Sequence, residues 1–400
     1  MAEDWPQWLG PERDAVWRET GILTDVSGEA AKVVWRTPVG RGYSSPSVVR
    51  GRVFVTDFML EEGSIRNLPS AREKVRGIER VLAMDAETGR LLWTHRYPVA
   101  YEASYPGGPR TSPVVAGGKV FTLGTDGHLF ALSAASGDVI WSKTLKKDYG
   151  AATPFWGHSA HPLLFDDLLI CMVGAKAGVV VAFDIHTGEE RWSALSAEEP
   201  GYAPPAIADL AGRRTLLVWH PESLNALAPE NGSLDWSIPR PPRAGMSVTA
   251  PLAIGRDIYI SGIGTPPALI RVAEDGNSAS IVWRGGPRKG ITAGNGPPLA
   301  HRGILYGVDT QGRLIASSLA TGEQLWSTYK ATTGTRRQSY ATAFLVRHEE
   351  RFFIFNERGI LILAELTEDG YSELSRRPLL EPTTETYGRT VIWSHPAFSG

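Results

Sequence analysis

Four hundred residues, of which 42% are hydrophobic, supply enough apolar surface for a large core, and 43 glycines with 28 prolines describe a chain of many turns. A formal net charge of −2 gives no electrostatic reason to expect a nucleic acid or an anionic membrane surface as partner. The single cysteine, Cys171, excludes a disulfide within the chain and reads as a buried structural thiol in the apolar run 168–173, and no run of 18 apolar residues offers a membrane-spanning helix.

In chain order, residues 1–31 read as an irregular arm whose Trp5, Trp8 and Trp17 should pack on one face of the domain formed by residues 32–400. An isolated strand signal, Lys32-Val33-Val34-Trp35-Arg36, follows. From there a unit recurs at intervals of roughly fifty residues. Its front half is a Pro-marked strand followed by a Gly-bounded one, as in Ser44-Ser45-Pro46-Ser47-Val48-Val49 before Arg52-Val53-Phe54-Val55. Further copies surround Pro113, Pro162, Pro205, Pro251, Pro297 and Pro396, with Ala341-Thr342-Ala343 holding the remaining place.

The back half is Ala83-Met84-Asp85-Ala86-Glu87-Thr88-Gly89-Arg90-Leu91-Leu92-Trp93, with copies at 131–141, 182–192, 226–236 and 316–326. In each of them Gly precedes Trp by four positions. Two copies are degraded: three extra residues separate Gly276 from Trp283, and Asp369-Gly370 leads to Leu374 where a Trp is expected. Glycine supplies positive φ in the turn while Asp and Thr bond nearby backbone, so the unit is strand, tight turn, strand. Eight starts of four strands each predict an all-β, eight-bladed propeller of four antiparallel strands per blade. Trp35 then belongs to the outer strand of the last blade, supplied by residues 32–37 to close the ring and remove an exposed edge. Trp35, Trp93, Trp141, Trp192, Trp236, Trp283 and Trp326 are the expected docking rings between blades. The sequence reaches Gly400 just after the inner strand of the eighth blade, so a continuation carrying its middle strands is expected. Residues 61–80, 97–110, 146–161 and 379–389 read as irregular connections.

The Ala-x-Asp-x-x-Thr-Gly-x-x-x-Trp repeat resembles that of the quinoprotein alcohol dehydrogenase type of propeller, over roughly residues 30–400. The opening Trp5-Pro6-Gln7-Trp8-Leu9-Gly10-Pro11 resembles the start of secreted bacterial proteins of that propeller class. The resemblance implies a periplasmic or secreted location, since the sequence itself opens without a signal-peptide pattern. The same repeat builds non-enzymatic propellers that assist outer-membrane protein assembly. The dehydrogenases of this class hold pyrroloquinoline quinone with calcium, using an adjacent cysteine pair, Glu, Asn and Asp ligands and an Asp base. With one cysteine and no Asp at the inner-strand positions, this sequence is not expected to bind quinone or calcium.

Positions just before each inner-strand proline should meet at the mouth of the central channel, because every inner strand runs the same way along the axis. They offer Tyr43, Arg110, Trp156, His158, His161, Tyr202, Asn295, Tyr340 and His395, together with Arg41, Met246 and Gln338. Rings for stacking and Arg for bidentate pairing suit a sugar or a carboxylate-bearing ligand. His158 and His161 with His395 suggest no metal site, because strand positions three apart face opposite ways and no carboxylate stands nearby. No nucleophile elbow or phosphate loop is present, and Gly262-Ile263-Gly264 is a turn between strands. Two readings stay open: a monomeric propeller that binds a small molecule or a protein at the funnel, and an enzyme with a funnel active site, acting on carbohydrate or as a quinoprotein-like oxidoreductase.

Overall fold

In the repeat turns, Asp85 Oδ1 accepts from the Thr88 hydroxyl at 2.7 Å and the Thr88 N–H at 2.9 Å, which folds the chain back on itself. Gly89, Gly137, Gly188, Gly232 and Gly322 follow with φ between +69° and +80°. A Cβ on them would stand 2.5–2.9 Å from the ring of Trp35, Trp93, Trp141, Trp192 and Trp283 respectively. The glycine is thus required twice, for the turn and for the indole of the preceding blade lying flat on it. Each indole N–H then donates to a carbonyl of that same turn: Trp93 to Ala134 at 3.1 Å, Trp141 to Ile185 at 3.1 Å and Trp283 to Leu319 at 2.9 Å. Within their own blades Trp93, Trp141 and Trp192 pair across the ladder with Ala83, Ala131 and Ala182, whereas Trp283, in a degraded copy of the repeat, faces Leu269. That accounts for the alanine that opens the motif, since the ring needs the space its cross-strand neighbour leaves.

This computed structural model describes residues 3–28, 31–175, 178–241 and 246–400, so residues 1, 2, 29 and 30 of the expected arm lie outside the described residues. The fold is the eight-bladed propeller, built as antiparallel meanders in sequence order. Seven sheets have four strands. The first blade comprises Ser47–Val49, Arg52–Gly63, Glu73–Asp85 and Leu91–Ala103. The inner strands of the next six are Val114–Ala116, Leu163–Phe165, Ala206–Leu210, Leu252–Ile254, Leu299–His301 and Ala343–His348. Apolar clusters fill the space between blades: Phe121 and Leu129 of the second pack on Leu169, Cys171 and Val181 of the third. Burial pushes the Cys171 thiol well above its ordinary range, consistent with a packing role.

The eighth position differs from four complete strands. Residues 32–37 form no strand, yet the Trp35 indole still rests on Gly89 and donates to the Ala86 carbonyl at 2.8 Å. Residues 394–400 sit between the seventh and first blades: the His395 N–H donates to Ser45 Oγ at 2.8 Å, and Phe398 packs on Phe353, Trp5 and Trp17. Among the described residues no middle strands lie between these two segments, so neither has a ladder partner. The arm holds the ring across this place. Trp5 exchanges backbone bonds with Val48 of the first blade, and Trp17 N–H and Ala15 C=O bond Arg347 of the seventh.

All four expected irregular stretches carry regular structure. Residues 97–103 belong to the first blade's outer strand, Leu91–Ala103, paired as far as Ala103 with Glu73. Residues 61–80 extend the first blade's middle strands, paired as far as Gly63 with Val75, leaving only 64–72 as a loop. Residues 146–161 begin in the short helix Leu145–Tyr149, and residues 379–389 include part of a two-stranded hairpin, Thr384–Thr386 with Arg389–Val391. No helix among the described residues is long and apolar enough to cross a membrane.

Candidate functional site

The inner strands deliver their preceding residues to one end of the central channel, where a cavity of about 290 Å³ opens. Eight of the nine sequence-designated residues line it. Tyr43, Arg110, Trp156 and His161 come from the first three blades, and Tyr202, Asn295, Tyr340 and His395 from the remainder of the ring. Met246 joins them, whereas Arg41 and Gln338 do not. His158 does not either: it is buried against Gly127 and Leu145, its N–H bonds the Thr125 carbonyl at 3.0 Å, and its Nε2 has no partner among the described residues. Desolvation lowers its pKa to about 4.

Sequence reasoning did not place Trp8, Tyr105, Tyr387 and Trp393 in the wall. Tyr387 stacks on Tyr340 at 5.4 Å, Trp393 packs on Tyr105 at 5.6 Å, and Trp156 meets Tyr202 edge-on at 5.3 Å. The tip of the first blade's extension reaches the rim. Asn67 accepts from the Tyr43 hydroxyl at 2.9 Å and donates to the Glu385 carbonyl of the hairpin at 2.8 Å.

The floor is the arm. Trp8 lies parallel to His161 at 4.5 Å and edge-on to His395 at 6.0 Å, with the Arg13 guanidinium 5.5 Å from its centroid. A second cavity, lined by arm residues and the inner strands, lies beyond, and Trp8 borders both. The indole therefore divides the central channel. Arg13 anchors it by donating to the Pro162 carbonyl at 2.8 Å, and although burial lowers its pKa to about 9 it stays charged at neutral pH. His161 Nδ1 accepts from the Ser112 N–H at 2.9 Å, which leaves the proton of the neutral ring on Nε2. Burial first, then the charge of Arg13, holds the His161 pKa well below the usual value; burial alone brings that of His395 to about 3. Both rings are neutral at physiological pH.

Among the described residues Arg110 is the arginine that lines the cavity. It donates to the carbonyls of Gly108 at 2.6 Å, Ser104 at 3.0 Å and Tyr105, and its guanidinium lies 5.2 Å from the Tyr43 centroid. Behind it Glu79 is buried, accepting from the Tyr97 hydroxyl at 2.7 Å and the Thr125 N–H at 3.2 Å. Burial raises the pKa of Glu79, opposed by those bonds and by Arg110. Among the described residues no carboxylate lines the cavity itself.

The quinone and calcium that the resemblance implies do not fit these residues. Calcium requires six to eight oxygen ligands, usually including carboxylates, and among the described lining residues there is no carboxylate and Asn295 is the one side-chain amide. The described residues hold no group of three or more His, Cys, Asp or Glu that could share a metal ion, and the lone Cys171 cannot make a cysteine pair.

Known proteins give the same fold. The solved structure of the assembly factor BamB from Moraxella catarrhalis superposes with a TM-score of 0.52 at 15% identity, covering 82% of this chain and 92% of that one. In sequence, the outer membrane protein assembly factor BamB of Alkalilimnicola ehrlichii is 30% identical over 212 residues, 52% of this chain and 51% of its own length. The homologous factor of Shewanella oneidensis is 24% identical over 68% of this chain and 69% of its own. The quinohemoprotein alcohol dehydrogenase of Comamonas testosteroni is 29% identical over 149 residues, 35% of this chain and 20% of the enzyme. The chain thus spans about half the length of the first of these relatives and a fifth of the enzyme. The sequence model of the family described as outer membrane protein assembly factor BamB matches residues 13–100 and 77–328, and the chain belongs to that family of PQQ-like propellers.

Proposed function

We propose that the protein is an exported PQQ-like propeller that works as a binding scaffold without bound quinone, engaging a small ligand or a protein partner at the central cavity. The observation that carries this reading is the cavity itself: aromatic residues from blades far apart in sequence converge on one end of a channel that Trp8 closes. Aromatic-walled concavities with a few placed polar groups are the usual form of a binding site. An exported location and a protein partner draw on relatives named for outer membrane protein assembly. The carbohydrate-enzyme reading lacks support from the paired carboxylates that glycoside hydrolysis ordinarily uses, since none lines the cavity among the described residues.

The test is thermal-shift screening of the protein against sugars, small carboxylates, extended peptides, divalent metals, and quinone with calcium. A ligand that binds only the native state must raise its apparent stability. The reading expects at least one compound or peptide to stabilise the parent and not Asn295→Trp, which fills the mouth from an exposed position. Stabilisation by quinone with calcium, or ligands that all bind Asn295→Trp as well as the parent, would overturn it.

A further inference from the structure

We infer that the cavity takes a flat aromatic monocarboxylate, and not a sugar, a cation or a metal-bound ligand; this rests on reading the cavity as a binding site. The walls select a flat body, because the stacked Tyr340–Tyr387 pair and the Trp156–Tyr202 edge contact present ring faces and edges around a narrow space. At about 290 Å³ it lies at the small end of ligand pockets, which suits one or two fused rings.

The polar groups decide the charge. Arg110 spends three of its five N–H groups on backbone carbonyls, which fixes the guanidinium and leaves two N–H groups. His161 keeps its proton on Nε2, which has no partner among the described residues. Against these donors the wall, among the described residues, offers no carboxylate; its side-chain oxygens are the hydroxyls of its tyrosines, of Ser45, Ser159 and Thr249, and the Asn295 carbonyl. A sugar could pair with these hydroxyls, but it would bring no negative charge to the fixed guanidinium. A cationic ring would find the aromatic faces it favours but no counter-charge, and Arg110 would repel it. Among the described residues one fixed cation lines the wall and matches one carboxylate, whereas a polycarboxylate would bury further charges against them without partners.

The experiment is calorimetric titration of the protein with 4-hydroxybenzoate, its neutral analogue 4-hydroxybenzamide, benzyltrimethylammonium and glucose. The acid is expected to bind at least about ten-fold more tightly than the amide, the worth of a charge-assisted pair. Arg110→Met should abolish the preference for the acid over the amide, whereas Arg110→Lys, which keeps the charge, should retain part of it; an Arg110→Met preference equal to the parent's would overturn the role of Arg110. Asn295→Trp should abolish binding of both the acid and the amide. Glucose or the cation binding the parent more tightly than the acid, and failing to bind Asn295→Trp, would overturn the ligand class while leaving the cavity as a binding site. Failure of all four probes to bind the parent would remove the proposal and weaken the cavity reading with it.

Discussion

Trp141 shows what one residue contributes to this ring. Its side chain is 8% exposed, its indole N–H is satisfied by Ile185, and its face covers Gly188. Trp141→Ala should cost roughly 3–5 kcal/mol in chemical unfolding, the range for removing a buried aromatic; a cost under about 1 kcal/mol would show that the ring is not a docking element. Gly188→Ala should also destabilise, since the new Cβ would meet Trp141 at 2.7 Å and φ is +73°. The buried histidines set a pH response. With folded pKa values near 4 for His158 and 3 for His395, the unfolded chain takes up protons that the native state refuses. Stability therefore rises with pH between those values and about 6.5, each ring contributing up to ~1.4 kcal/mol per pH unit. His395→Phe should flatten the measured slope of unfolding free energy between pH 4 and 6 by about one proton's worth; an unchanged slope would show that His395 already titrates in the native state. Position in the repeat made eight of the nine funnel residues legible. His158 escaped because Gly157, at φ +71°, turns the chain so that the next side chain enters the second blade.

At the scale of elements, the arm carries more than its irregular sequence suggests. Trp5, Trp8, Leu9 and Val26 share one core cluster with strands of the sixth and seventh blades. Removing residues 1–38 would strip these rings, free the contact of Trp35 with Gly89 and unplug the channel. The truncated protein should aggregate or unfold well below the parent temperature, and a monomer as stable as the parent would refute the stapling role. Trp8, Tyr387 and Trp393 were not assignable to the cavity because they arrive on the arm and on the last hairpin and its exit, whose placement no repeat encodes. The strand extension of 59–63 was illegible for a different reason: it is exposed on both faces, so no period-two alternation marks it.

At the scale of the whole molecule, the repeat specifies a ring and the ring specifies a meeting point. Seven complete blades point their inner strands one way, and the arm and residues 394–400 bridge the eighth position. That geometry was legible because glycine, tryptophan and proline recur at fixed offsets whose steric reasons are local. The chemistry of the meeting point was only partly legible, since the absence of a carboxylate from the wall depends on which side chains reach it. The central proposal is that this PQQ-like propeller binds through an aromatic cavity, whose described residues include no carboxylate, and not through a quinone. Calorimetric titration of pyrroloquinoline quinone into the protein, with and without calcium, tests it most directly. No saturable calcium-dependent heat is expected, whereas one-to-one uptake that requires calcium and yields an alcohol-reducible chromophore would contradict the account.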